Sequence, residues 1–324
     1  MPTGRVKYAI AAVFLVFVWI FAVAEAAQEE YPDPAKIITL ICPAAPGGMS
    51  DNQMRNIAIQ LSKQLDGVRV QVENIAGASG KIAFEKVYKA RPDGYTILNF
   101  NLPSPVFQEM EEKAARFKTS DFAPIYAIST IPNVLVVHIE NWKTVDEFIQ
   151  EGQRRVVSIG TTGKGTANYF QAVAFVEATK IKANLVPFGG GAESTATLAG
   201  KHIDAVCTPV LTAFPLVRGG KIRPLIVFSD EADSTYPGVP LSKDSKWEIA
   251  AFPLIGAYVG PPNLSVDKVK LLEDAFARSV KEPAFVEWAK KVNLNVSPMN
   301  STKLKSTIDT IYQNAEKFRS YFTK

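Results

Sequence analysis

The sequence predicts an α/β protein built on two sheets, with a ligand crevice between them. Three observations carry this prediction. Short apolar segments alternate with amphipathic helical patterns along the body of the chain, which is typical of a doubly wound, mostly parallel sheet. Two glycine-rich turns, one early and one in the middle, each join a strand pattern to a helix pattern, and this indicates two such sheets. The length of 324 residues fits about two domains.

The chain begins with a hydrophobic leader. Arg5 and Lys7 form a short basic region, and Ala9–Ala24 is an unbroken apolar run. Ala24-Glu25-Ala26 then places small residues where a signal peptidase reads them. The apolar run is shorter than the roughly 20 residues that span a bilayer. Residues 1–27 are therefore predicted to be a cleaved signal peptide, with an uncleaved N-terminal anchor as the alternative.

Composition and charge exclude several classes of protein. Hydrophobic residues make up 47% of the chain, so a sizeable core is available and global disorder is excluded. The net charge of +4 is dispersed without a basic stripe, and no nucleic-acid partner is expected. His138 and His202 lie far apart with no ligand spacing around them, so neither a metal site nor a cofactor is expected. Cys42 and Cys207 could pair in an oxidising compartment, and free buried thiols are the alternative.

The predicted elements follow from apolar periodicity. The strand candidates, in chain order, are Lys36–Cys42, Val68–Glu73, Tyr95–Phe100, Val134–His138, Val156–Gly160, residues 184–187, Ile203–Cys207, Pro224–Ser229 and Ile255–Val259. Helical periodicity is clearest over residues 52–65, 267–281 and 302–322. The last segment carries an apolar stripe from Leu304 to Phe322. It predicts a C-terminal helix docked on the core, and a partner-binding helix is the alternative.

The two lobes are expected to be joined by strand-like crossings rather than by a linker. No low-complexity stretch or charge run interrupts the chain, and the crossings fall near residues 128–134 and 250–256. The expected division places residues 28–129 and 253–324 in lobe 1 and residues 130–252 in lobe 2.

The first glycine-rich turn, Pro43–Asp51, follows a buried strand and opens the helix at 52–65. Gly47 and Gly48 allow the backbone to approach a ligand closely. Ser50 or Asp51 can cap the helix, whose free N–H groups favour an anion. A plain capped turn without a ligand fits the same residues.

The second turn, Gly160–Asn168, also leads from a strand into a helix. Its order Lys164-Gly165-Thr166 lacks the Gly-Lys-Ser/Thr succession of a nucleotide-hydrolysing loop. A cradle rich in hydroxyl and N–H groups remains, and it suits a carboxylate. Two further turns, Asn74–Gly80 and Pro187–Gly191, also follow strands. Four such turns at the carboxyl ends of strands fit a ligand crevice between two open α/β sheets.

A catalytic constellation is not visible. Gly-x-Ser-x-Gly is absent, His138 ends a strand, and His202 lies in an exposed turn pattern. Carboxylates are plentiful, but they form no recognisable acid–base pair. An enzyme that uses the same crevice is therefore disfavoured.

Taken in order, the turns resemble those of one family. The marks are Tyr31-Pro32, Pro43–Asp51 with Arg55, Val72–Asn74, Gly77–Gly80, Pro92–Thr96, Gly160–Thr166, Val186–Gly190, Gly200 with Asp204, Tyr236–Pro240 and Gly260–Pro262. From about Tyr31 to the C-terminus, the chain is similar to the substrate-binding proteins of tripartite tricarboxylate transporters, the Bug family of periplasmic receptors. It differs from the usual family pattern at Met49, at Asn168-Tyr169 and at Phe188.

The resemblance implies a two-lobed type II periplasmic binding fold, each lobe a doubly wound sheet flanked by helices, which closes on a small organic acid. It assigns the ligand carboxylate to two turns, one from each lobe. The implied contacts are Gly47, Gly48, Met49, Ser50 and Asp51 from lobe 1, and Thr162, Gly163, Gly165, Thr166 and Ala167 from lobe 2. Further walls are expected from Ala78 and Ser79 in the Ala76–Gly80 turn, Ser104, Phe188 and Thr208.

The implied function is a periplasmic receptor, expected to be a monomer, that captures a mono-, di- or tricarboxylate, aromatic acids included. It would deliver this acid to the membrane subunits of a transporter. A ligand-sensing subunit of a two-component signalling system would use the same crevice and is the alternative.

Overall fold

The computed structural model describes residues 31–111, 115–163, 165–231 and 234–319. The predicted signal peptide lies outside these described residues. The strands in the described part, in chain order, are β1 (Ile38–Cys42), β2 (Val70–Asn74), β3 (Thr96–Leu102), β4 (Ala123–Ile131), β5 (Asn133–His138), β6 (Val157–Thr162), β7 (Ala183–Phe188), β8 (Ala205–Pro209), β9 (Ile222–Phe228), β10 (Leu254–Gly260) and β11 (Val296–Asn300).

The α-helices of the described part pack around these strands. They are α1 (Met49–Gln64), α2 (Lys81–Tyr88), α3 (Ser104–Glu111), α4 (Val145–Arg154), α5 (Ala167–Thr179), α6 (Gly191–Ala199), α7 (Val210–Arg218), α8 (Val266–Ser279), α9 (Pro283–Lys291) and α10 (Ser301–Glu316). Local capping explains two of the starts. The side chain of Thr144 accepts a bond from the N–H of Glu147 before α4, and Asn300 accepts one from Lys303 before α10.

The strands form two sheets, as the sequence predicts. The first has the order β11-β4-β10-β3-β1-β2, and the second has the order β7-β6-β8-β5-β9. In the first sheet β1 pairs in parallel with β2 and β3, whereas β10 is antiparallel to β3 and β4. In the second sheet β6 pairs in parallel with β7 and β8, whereas β5 is antiparallel to β8 and β9.

The α/β fold class is confirmed, but the expectation of mostly parallel sheets was wrong. Both sheets are mixed, because each receives a strand that crosses over from the other half of the chain and runs against its neighbours. The sequence prediction also missed β4 and β11. β4 lies where a crossing was expected, and β11 is a short edge strand with an irregular register.

Both crossings are short, and each contains a proline. In the first crossing, Ile131 pairs with the first sheet and Asn133 with the second, so Pro132 alone lies between them. In the second crossing, the N–H of Phe252 donates to Gln171 at 2.7 Å and its carbonyl accepts from Asn133 at 2.8 Å. Leu254 already belongs to the first sheet, so Pro253 is the residue between the two halves.

Three clusters of buried apolar side chains support the two halves. The predicted C-terminal helix is docked on the core, since Leu304, Ile308, Ile311 and Ala315 of α10 are buried. It ends at Glu316 rather than at residue 322, and Phe322 of the predicted stripe lies outside the described residues. Cys42 and Cys207 are both buried and free, so they do not form the disulfide that was one of the two alternatives. None of the helices in the described ranges is long and apolar enough to cross a membrane.

Candidate functional site

A cavity of about 230 Å³ lies between the two sheets. It is lined by Pro43, Phe84, Asn101, Ser104 and Leu254 from the half with the first sheet, and by Thr162, Thr166, Ala167, Asn168, Gly191, Pro209 and Thr212 from the other half. Pro43, Asn101, Thr162 and Pro209 lie at or just beyond the carboxyl ends of β1, β3, β6 and β8. This is the position at which open α/β sheets bind ligands. All of these lining residues carry uncharged side chains.

Four helices begin at this cavity. Ser104 starts α3, Ala167 starts α5, Gly191 starts α6, and Pro209 precedes the first residue of α7. The first N–H groups of a helix have no acceptor within the helix, and together they carry about half a positive charge. Their convergence on one uncharged cavity creates an environment for an anion.

The start of α5 shows this most clearly. Its first backbone bond runs from the N–H of Phe170 to the carbonyl of Thr166 at 3.2 Å. Within the described residues, the N–H groups of Ala167 and Asn168 therefore have no acceptor, and both residues line the cavity. Thr166 has extended backbone angles and makes no side-chain cap, so nothing from its side chain satisfies these groups.

Helix α1 reaches the cavity through a side chain of β3. The amide nitrogen Nδ2 of Asn101 donates to Oγ of Ser50 at 3.2 Å. Met49, the first residue of α1, is 42% exposed. Met49 and Ser50 of the predicted first turn thus lie beside the cavity wall rather than in it.

Asp51 stabilises its own turn. Its buried carboxylate accepts bonds from the N–H of Gly47 at 2.8 Å, from Nδ2 of Asn74 at 2.9 Å and from Nε of Arg55 at 3.0 Å. The hydrogen bond from Arg55 is the main cause that lowers the pKa of Asp51 to about 2. The cap of α1 is Gly48, not Asp51. The N–H of Gly47 already donates to this carboxylate. The bond between Gly47 and Asp51 therefore stabilises the conformation of the turn.

The second predicted turn contributes its side chains directly. Thr162 and Thr166 line the cavity, and both hydroxyls lie within hydrogen-bond distance of Oδ1 of Asn168, at 2.6 and 2.7 Å. Nδ2 of Asn168 donates to the carbonyl of Cys207 at 3.0 Å, which anchors this buried amide to β8. Gly163 and Gly165 connect the two threonines, and Gly165 has a positive φ of 79°.

The Ala76–Gly80 turn supports the wall from behind. Gly80 has a φ of 97°, and a Cβ atom there would lie 2.8 Å from Phe84 Cζ and 3.0 Å from Pro43 Cβ. Both contacted residues line the cavity. Ala78 begins the short 3₁₀ turn Ala78–Gly80, and the side chain of Ser79 lies outside what the structure describes.

The other predicted walls lie one layer further out. Phe188 ends β7 and packs over Gly160, where a Cβ would lie 3.1 Å from its ring. Thr208 is fully buried, and its Oγ1 lies 3.3 Å from the Cβ position of Gly191. Of the predicted contacts, the structure thus brings Ser104, Thr162, Thr166 and Ala167 together at the cavity.

Three further lining residues belong to turns that the sequence assigned to the crevice, although they were not named as contacts: Pro43, Asn168 and Gly191. The sequence did not indicate the other lining residues, which are Phe84, Asn101, Pro209, Thr212 and Leu254. Asn101 could have been found, because it lies at the carboxyl end of a predicted strand. Within the described residues, no group of three or more His, Cys, Asp or Glu side chains is placed to hold a metal ion.

The chain is similar to proteins of one known family. Residues 53–318 match the tripartite tricarboxylate transporter family receptor. A relative in Agrobacterium vitis, a UPF0065 protein encoded in the TAR-I ttuE-ttuC' intergenic region, is 27% identical over 267 residues. That alignment covers 81% of this chain and 75% of the relative.

Solved structures share the fold. A TctC solute-binding protein from Polaromonas has a TM-score of 0.77 at 24% identity, covering 90% of this chain and 98% of its own. MatC from Rhodopseudomonas palustris with bound malate has a TM-score of 0.74 at 20% identity, covering 89% and 100%. Another Rhodopseudomonas palustris protein, with adipate, has a TM-score of 0.75 at 22% identity, covering 89% and 97%. These neighbours confirm the two-lobed binding-protein fold, and the family match shows that the chain belongs to the receptor family of tripartite tricarboxylate transporters.

Proposed function

We propose that this receptor works in the periplasm, where it closes its two lobes on a small organic carboxylate and delivers that acid to membrane transporter subunits. Residues 28–129 with 253–324 form one lobe in this proposal, and residues 130–252 form the other. The receptor acts as a monomer, and light scattering of the purified protein tests that state.

One observation carries the proposal. The N-termini of α3, α5, α6 and α7 begin at one cavity, and the lining side chains that the structure describes are all uncharged. Helix α3 comes from one side of the cleft, and α5, α6 and α7 come from the other. A carboxylate between them receives donors from both halves, so it binds the closed form more tightly than the open form and shifts the population toward closure.

The energetics are sufficient for a transport receptor. Each charge-assisted hydrogen bond contributes about 1.5–3 kcal/mol. Several of them, reduced by the cost of fixing the ligand and the lobes, support a Kd near micromolar, which corresponds to about −8 kcal/mol. Two neighbours of the same fold hold carboxylates, malate in one and adipate in the other.

The test uses the purified mature protein and matched pairs of acids and their neutral amides. Mono-, di- and tricarboxylates and aromatic acids are screened by thermal shift, and each hit is measured by calorimetry at pH 7. We expect at least one acid to raise the melting temperature and to release heat, while its amide does neither, because the helix N-termini favour the anion. A complete screen without any shift or heat would contradict the proposal.

A further inference from the structure

The amide of Asn168 has a fixed orientation. The residue is 3% exposed, and its Nδ2 donates to the carbonyl oxygen of Cys207 at 3.0 Å. A carbonyl can only accept a hydrogen bond, so the nitrogen must be the atom that faces Cys207. Oδ1 therefore faces the turn that carries Thr162 and Thr166.

This orientation determines where the two threonine protons go. Oγ1 of Thr162 lies 2.6 Å from Oδ1 of Asn168, and Oγ1 of Thr166 lies 2.7 Å from the same atom. Thr166 has a second internal acceptor, the carbonyl of Gly163 at 2.8 Å. Each hydroxyl has a single proton, and the acceptors within reach of it, which for Thr162 include Oγ1 of Thr166 at 3.1 Å, belong to the protein itself.

Thr162 and Thr166 consequently face the cavity as hydrogen-bond acceptors. Both line the cavity, and their oxygens retain lone pairs. Two lone pairs repel a carboxylate oxygen, so these threonines do not hold the anion. They match a ligand group that donates.

The donating group is a hydroxyl rather than an ammonium. All of the described lining residues are uncharged, and the four helix N-termini around the cavity are partially positive. The ammonium group of an amino acid would lie among these partially positive N-termini with only the ligand's own carboxylate as counter-charge, and the N-termini already hold that carboxylate, so burying the ammonium is unfavourable. A hydroxyl has no such requirement.

We infer that the ligand of this receptor is a hydroxycarboxylate, whose carboxylate lies at the helix N-termini while its hydroxyl donates to the oxygens of Thr162 and Thr166. The inference rests on the proposed function and narrows the ligand to acids that carry a donor group. Asn168 is the positioning residue, because it holds both threonine protons away from the ligand.

The test compares acids that differ only in one hydroxyl. Calorimetry at pH 7 is run on lactate and propionate, malate and succinate, and citrate and tricarballylate, with aspartate as the ammonium counterpart of malate. In any pair that binds, we expect the hydroxy acid to bind about tenfold tighter, because the deoxy acid leaves the threonine oxygens without a donor. Equal or tighter binding of the deoxy acid overturns the inference but leaves the proposed function standing. Tighter binding of aspartate than of malate also overturns it. If none of these acids binds but another acid of the full screen does, its hydroxylated and deoxy forms are compared in the same way; the absence of binding by every acid of the full screen contradicts both.

Variants assign the effect to the turn. Thr162→Val removes the acceptor at nearly constant volume, and we expect the tenfold preference for the hydroxy acid to disappear. Thr162→Ser retains the acceptor and should retain the preference. Thr161→Val is the matched control, since Thr161 is the neighbouring residue of β6, is fully buried and does not line the cavity. An undiminished preference in a folded Thr162→Val protein overturns the inference, and the acid pairs test it on the unaltered protein if this variant does not fold.

Discussion

The start of α5 allows one ligand donor to be removed without disturbing the helix. Ala167 is the first residue of α5 and lines the cavity, and its N–H has no acceptor within the described residues. Proline is favoured at this first helical position, because its missing N–H is one that the helix does not use. Thr166 has φ −100° and ψ 156°, the extended conformation that a residue before proline requires. The substitution Ala167→Pro therefore removes an unpaired N–H at the cavity wall, which we propose is a donor to the ligand.

We expect Ala167→Pro to weaken ligand binding and to maintain or raise the stability of the unliganded protein. The loss of one charge-assisted bond costs about 1.5–3 kcal/mol, which weakens the Kd of the bound acid by about 10- to 150-fold. The unliganded protein should be as stable as the parent or up to about 1 kcal/mol more stable, since proline restricts the unfolded chain. Calorimetric titration gives the Kd, and urea denaturation without ligand gives the free energy of unfolding.

A second proline serves as the control. Val266 is the first residue of α8, is 80% exposed and follows Ser265 in an extended conformation, φ −62° and ψ 148°. Val266→Pro makes the same chemical change away from the cavity, and the Kd should not change. A folded Ala167→Pro protein that binds the acid within about threefold of the parent would refute the assignment of this N–H to the ligand.

Three further predictions concern the surroundings of the site. The pKa of Asp51 is about 2 in the folded protein and lies below its unfolded value, so the stability from its bond to Arg55 is complete above about pH 4 and is lost as the pH falls toward 2. Urea titrations between pH 2 and 6 should therefore give Asp51→Asn a free energy of unfolding about 1–2 kcal/mol below that of the parent near pH 6, a range that allows for the half-exposed guanidinium of Arg55. This difference should disappear as the pH falls toward 2, and a difference that does not depend on pH would contradict the prediction. Gly80→Ala should lower the free energy of unfolding by more than about 1 kcal/mol and weaken acid binding, because φ is 97° and the new Cβ would lie 2.8 Å from Phe84. An unchanged melting curve would show that Phe84 moves aside without cost. Thr161→Val should keep or raise the melting temperature, because Oγ1 of Thr161 is buried without a partner in the described structure, and a marked loss of stability would show that this hydroxyl is bonded.

The sequence predicted those elements of the fold that depend on residues close together in the chain. Buried runs such as Val134–His138 give strands, and the stripe on α10 gives a docked helix. Strand direction is not local. β10 resembles any other buried strand in sequence, and only its return from the other half of the chain makes it antiparallel. β11 contains Pro298 and little apolar surface, so no periodicity marks it; its place depends on pairing with β4.

The site was predictable only in part, for the same reason. Glycine, threonine and helix-start patterns identified the turn around Thr162 and Thr166, which lines the cavity. The residue pattern indicates Asp51 as a possible helix cap, and the family resemblance implies a ligand contact; in the structure its carboxylate pairs with Arg55, four residues further on. Gly191 belongs to the predicted turn Pro187–Gly191 and does line the cavity, whereas Thr212 reaches the cavity through tertiary packing, and no sequence pattern indicates it.

The prolines of the two crossings have a consequence for how the receptor moves. In the first crossing, Pro132 is the one residue between β4 and β5, and its carbonyl accepts from the N–H of Val210 at 3.0 Å. In the second crossing, Pro253 directly precedes β10, and the backbone of Phe252 before it is bonded to the side chains of Gln171 and Asn133. The pyrrolidine ring fixes φ, so each crossing retains ψ as its soft torsion at its proline. Two neighbouring crossings that run in opposite directions and have few soft torsions should restrict how the two halves can move relative to each other. The two lobes of the empty receptor should then sample a narrow set of relative orientations. The protein would therefore lose little conformational entropy when ligand binding selects the closed orientation.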